Sequence, residues 1–61
     1  MPRAIWTAPD TQTPQAGQTG VAYPDPRHDD PTSVAYLAWL FQPDADANAY
    51  SCARHEFYLL D

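Results

Sequence analysis

The sequence contains no lysine, one cysteine and two glycines among its 61 residues. The single thiol, Cys52, cannot form an intramolecular disulfide, so a disulfide-stapled scaffold is excluded. Without such a staple, a chain of this length buries barely enough apolar surface to offset the conformational entropy of folding. The remaining sources of stability are a metal, unusually good packing or a partner chain, and we expect no self-sufficient enzyme.

Positive charge is also scarce, because three arginines face eight acidic residues and the formal net charge is −5. Proteins that bind nucleic acids or anionic membranes concentrate Lys and Arg on one face. Direct binding to either is therefore disfavoured. The longest apolar run, Val34 to Phe41, is too short to span a bilayer, and no signal peptide is recognisable. These features predict a cytoplasmic location or a place within an assembled particle.

Apolar residues are unevenly distributed along the chain. Residues 1–32 hold nine of the 27, whereas residues 33–61 hold eighteen. The first part also carries six of the seven prolines and both glycines, a composition typical of extended backbone and of disordered tails. We therefore predict an extended Pro-, Gly-, Thr- and Gln-rich arm over residues 1–32, ordered by a neighbouring protein, followed by a compact apolar docking element over residues 33–61.

Two helices are predicted for the second part. Asp30 can cap a helix over residues 31–42, and Pro43 disfavours its continuation. Asp44 can cap a second helix over residues 45–60, which has apolar residues at three- and four-residue spacing. The fold prediction is thus a small, mainly α protein with an extended arm and a two-helix hairpin.

The alternative is a β-hairpin in the C-terminal half. Its strands would be Val34–Phe41 and Tyr50–Leu60, since Val, Tyr, Trp and Phe favour strands. In both interpretations the continuous apolar run requires burial on every side. One neighbouring element of the same chain cannot provide it, which indicates a partner.

Metal-binding patterns are present but incomplete. Asp44, Asp46 and Asn48 match the first, third and fifth positions of a calcium loop, but Ala49 replaces the required glycine and His55 replaces the final glutamate. Cys52 and His55 could supply two zinc ligands, completed by His28 and by Asp29 or Asp30, but a second ligand pair is missing. We predict no metal and no cofactor.

Nucleophilic catalysis would use Cys52 or Ser51 with His28 or His55 as the base. A chain with so few elements cannot also build an orienting group and an oxyanion hole in a dry pocket, so no catalytic residue is assigned.

The aromatic residues give the strongest signal, at 13% of the chain. Trp and Tyr dominate the energetics of protein interfaces because they bury a large area at modest entropic cost. Some of them must form the core, but eight exceed what so small a core requires. We predict that the partner interface contains Trp6, Tyr23, Tyr36, Trp39, Phe41, Phe57 and Tyr58.

These observations predict a small, non-catalytic interaction or assembly protein that docks on a larger complex, such as a virion connector or decoration subunit or an accessory subunit of an enzyme. The partner could also be a further copy of the same chain. The alternative is an acidic inhibitor that occupies a basic nucleic-acid-binding cleft of a partner, with carboxylates imitating phosphates. Its acids would be Asp25, Asp29, Asp30, Asp44 and Asp46.

Overall fold

The computed structural model describes residues 2–11 and 14–60, and they form one antiparallel sheet of five strands in the order β4-β3-β2-β1-β5. The strands and one short 3-10 helix, η1, follow in chain order as β1 (Arg3–Trp6), β2 (Thr19–Pro24), β3 (Trp39–Pro43), β4 (Tyr50–Cys52), η1 (Arg54–Glu56) and β5 (Phe57–Leu59). The first four strands form a meander, and the last strand pairs with the first.

The prediction of a mainly α fold is wrong, and so is the extended arm. The segments predicted as an arm supply β1 and β2, and the described residues contain no α-helix. The alternative β-hairpin is nearer, since β3 and β4 do form a hairpin. Its boundaries differ, however: the first strand begins at Trp39, and the second predicted strand divides into β4, η1 and β5.

The chain order requires the sheet to curl. Strands β4 and β5 lie at opposite edges, and in a flat sheet four strand spacings would separate them by about 19 Å. The two strands are connected only by Ala53 and the compact turn η1, and this connection is too short to span that distance. Ring contacts confirm the curl, because Trp39 on β3 and Phe57 on β5 have centroids 5.5 Å apart although two strands lie between them.

The core lies inside this curl and draws on both parts of the chain. Alternate residues of each strand point inwards, as the period of a half-buried strand requires. The Phe41 ring is completely buried, 5.2 Å from the Trp6 ring and 6.3 Å from the Phe57 ring. The rest of the buried apolar cluster consists of small residues, namely Ala4, Ala8, Ala22 and Cys52.

Prolines and glycines from both parts of the chain serve the fold. Pro14 and Pro43 are among the largest fully buried side chains. Gly20 faces Pro43 across the β2–β3 pair, where a Cβ would lie 2.1 Å from the Gln42 carbonyl oxygen. Close packing of the backbones, and not an extended arm, explains much of this composition.

Candidate interaction surface

The connection between β2 and β3, residues 25–38, is the longest loop of the described chain and is closed at its base. The Asp25 amide donates to the Ala38 carbonyl at 3.1 Å, and the Leu37 amide donates to the His28 carbonyl at 2.9 Å. The buried Asp25 carboxylate accepts the Arg27 amide at 2.8 Å and lies 3.4 Å from the Arg27 guanidinium. The loop is therefore a folded projection.

Within the loop, successive turns replace the predicted helix. Asp30 does accept the Thr32 amide at 3.0 Å, as a helix cap would. The following amides, however, bond three residues back, from Ser33 to Asp30 and from Tyr36 to Ser33, and no α-helical ladder develops. Asp30 thus caps a turn, and the predicted helix over residues 31–42 is wrong.

Three apolar side chains project from this loop, and we call Val34, Tyr36 and Leu37 the apolar tip. Val34 is fully exposed, Tyr36 is 46% exposed and Leu37 is 63% exposed, while Ala35 between them is buried. Leu37 has φ 63°, in the left-handed region that costs a residue with a side chain about 1–2 kcal/mol. An ordered backbone thus holds large apolar groups in solvent at an energetic cost.

Acidic side chains flank the apolar tip. Asp29 has a side chain 81% exposed, with one oxygen 2.8 Å from the His28 ring. The Asp30 carboxylate accepts both the amide and the hydroxyl of Thr32, and these bonds lower its pKa below the ordinary value. Because Leu37 is hydrogen-bonded to His28, both acids lie beside the base of the apolar tip.

The predicted interface residues separate into three groups. Trp6, Phe41 and Phe57 are in the core, and Trp39 packs against it beneath the Arg54 guanidinium, 5.5 Å from its ring centroid. Tyr23 is half-buried on the outer face of β2. Tyr36 and Tyr58 are exposed. Binding by these seven residues stays a prediction, but of them only Tyr36 and Tyr58 are exposed to solvent.

Val34 and Leu37 were missed by reasoning that selected aromatic residues only. The signal that could have identified them is the run Val34–Phe41 itself, because a single curled sheet cannot cover eight consecutive apolar residues. The structure divides this run between the exposed tip and the buried strand β3.

The candidate calcium ligands are engaged within the protein. Both Asp44 oxygens accept the Arg3 guanidinium, at 2.8 and 2.6 Å, and this contact lowers the Asp44 pKa. Asp46 accepts the Tyr50 hydroxyl and the Asn48 amide, and both bonds lower the pKa of Asp46. The bond to Asp46 raises the pKa of Tyr50. The Asp46 contacts close the β3–β4 turn, whereas the Asp44 contact joins that turn to β1.

The candidate zinc and catalytic residues are not assembled into a site. Cys52 is buried on β4, whereas His55 is exposed on η1, and His28 lies in the β2–β3 loop. Burial, with the charge of Glu56 as a second cause, raises the pKa of the Cys52 thiol to about 11. Among residues 2–11 and 14–60 there is no group of three potential metal ligands and no pocket.

Comparison of the chain with models of protein families, with curated proteins and with solved structures finds no match. Over the described ranges, no helix has the length and apolar character needed to cross a membrane.

Proposed function

We propose that this protein is a non-catalytic interaction protein that docks on a larger protein through the apolar tip. The observation that carries the proposal is the exposure of Val34, Tyr36 and Leu37 on a loop whose base and successive turns are closed by backbone hydrogen bonds. Exposed apolar groups reduce solubility, and the left-handed Leu37 adds strain. Burial of the tip against a partner would offset both costs. A connector, a decoration subunit of a particle and an accessory subunit of an enzyme all fit this role.

The acidic-inhibitor alternative receives less support. Asp25 is buried, both oxygens of Asp44 are paired with Arg3, and Asp46 is bonded to Tyr50 and Asn48. Each of these three carboxylates is therefore buried or bonded to another part of the chain. Asp29 and Asp30 also have partners, in His28 and Thr32, but they stand beside the apolar tip, where they can supplement apolar contacts.

Site-specific photo-crosslinking in the cells that make the protein tests the proposal. Val34→benzoylphenylalanine places the probe at a fully exposed position, and Ala47→benzoylphenylalanine, in the exposed β3–β4 turn, is the matched control. We expect one discrete protein adduct from position 34 and none from position 47. The added changes Tyr36→Ser and Leu37→Asn should reduce the adduct at least tenfold, because interface hot spots cost about 2 kcal/mol or more. The same adduct from both positions, or none from position 34, would overturn the proposal.

A further inference from the structure

The charges around the apolar tip define the partner, provided that the proposed function holds. We infer that the tip enters an apolar groove on a different protein and that Lys or Arg side chains at the groove rim contact Asp29 and Asp30.

The required contact area extends beyond the tip. A stable interface buries about 800 Å² on each partner, which three side chains cannot supply by themselves. The contact must therefore reach the flanks of the loop, where Asp29 and Asp30 stand. Asp29 is 81% exposed, and both bonds from Thr32 to Asp30 go to the same oxygen, Oδ1.

A partner must supply positive charges that compensate the negative charges of Asp29 and Asp30. Carboxylates that enter an interface without counter-charges lose their hydration and gain no compensating interaction. Opposite charges at the rim, by contrast, accelerate association and orient the docking. The hydrogen bonds from Thr32 lower the pKa of Asp30 and so favour its ionised form. Basic side chains around an apolar groove are the matching surface.

A second copy of this chain fits poorly as the occupant. The chain has no lysine and a net charge of −5, and its arginines already have contacts. Arg3 is paired with Asp44, Arg27 lies beside Asp25, and Arg54 lies over the Trp39 and Phe57 rings. A symmetric contact through two tips would bring four flanking acids together. An anionic membrane surface would likewise be repelled.

Charge reversal in the crosslinkable protein tests the inference. Asp29→Lys and Asp10→Lys each change the charge by the same amount, but Asp10 lies in the β1–β2 connection at the other end of the sheet. We expect Asp29→Lys to lower the yield of the adduct from position 34 about threefold or more, while Asp10→Lys leaves it unchanged. In a lysate of the same cells, lower ionic strength should raise the yield for the parent protein because screening decreases.

The melting temperature of each variant, followed by circular dichroism, separates loss of binding from loss of folding. Asp29→Asn serves as the milder variant if Asp29→Lys disturbs the contact with His28, and it should lower the yield in the same direction. Equal yields from the Asp29 and Asp10 variants would overturn the basic rim while leaving docking through the tip intact. An adduct with the mass of two copies of the chain, or with lipid, would overturn the groove on a different protein. The absence of any adduct from position 34 would instead reject the proposed function.

Discussion

Leu37 is a residue that lowers the stability of the fold while its apolar side chain stays exposed. Its left-handed backbone is favourable only for glycine and, to a lesser extent, asparagine, and its side chain gains little burial in return. Selection for stability alone would not place leucine here. The conflict between local preference and observed conformation is the kind that accompanies functional positions.

We predict that Leu37→Asn raises the free energy of unfolding by about 0.5–1 kcal/mol, because asparagine tolerates positive φ and little apolar burial is lost. Val34→Asn is the matched control, since it removes a similarly exposed apolar side chain from the same loop. It should change stability by less than about 0.5 kcal/mol. Urea denaturation measures both. Destabilisation by Leu37→Asn beyond that of Val34→Asn would show that Leu37 contributes packing to the loop.

Cys52 predicts a specific loss of stability at alkaline pH. Its pKa in the folded protein is about 11, above the ordinary value near 9. The thiol is neutral in both states below pH 9, so the folded state has its full stability there. Between pH 9 and 11 the thiol ionises first in the unfolded chain, and the free energy of unfolding should fall by up to about 2–3 kcal/mol.

The measurement is chemical denaturation at several pH values in the wild-type protein and in Cys52→Ala. The variant starts less stable but should lack this component of the alkaline decline, while the contribution of tyrosine ionisation is common to both proteins. Parallel pH profiles would show that the buried thiol titrates normally.

At the scale of the elements, the β2–β3 pair depends on Gly20. A methyl group at this position would collide with the Gln42 backbone on the neighbouring strand, and backbone cannot move aside as a flexible side chain can. Gly17, by contrast, has open space around its Cβ position but a φ of 95°.

Gly20→Ala should therefore lower the free energy of unfolding by about 3 kcal/mol or more, whereas Gly17→Ala should cost about 1 kcal/mol through backbone strain alone. Thermal unfolding of the two variants, which differ only in which glycine gains the methyl group, gives the comparison. Equal losses would mean that the close approach of β2 and β3 at Gly20 costs no more than the backbone strain at Gly17.

Strand formation was only partly predictable from local patterns. The alternative hairpin anticipated strand character around β3 because Trp39 and Phe41 favour strands. The competing helix prediction was wrong because Asp30 and Asp44 have the chemistry of helix caps but serve other contacts. Asp30 closes a turn with Thr32, and Asp44 pairs with Arg3 on β1. A cap signal alone does not distinguish these uses.

At the scale of the whole molecule, composition concealed the role of the first part of the chain. Few apolar residues and many prolines indicated an arm, yet Ala4, Trp6 and Ala22 complete the core. Pairing of β1 with β5 joins segments too distant in sequence for any local pattern to reveal. The prediction of a partner followed from the apolar run, but the tip could be located only once β3 was known to begin at Trp39.

The pairing of the first strand with the last also sets an order of events during synthesis. Strand β1 ends at residue 6 and β5 begins at residue 57, so one edge of β1 stays unpaired until almost all of the described chain has been translated. At typical elongation rates this interval lasts roughly 3–10 s. During it, the nascent chain exposes the edge of β1 and the Trp6 ring, both of which can associate with other unfinished chains. The pairing of β1 with β5 can close the sheet only after β5 has emerged from the ribosome.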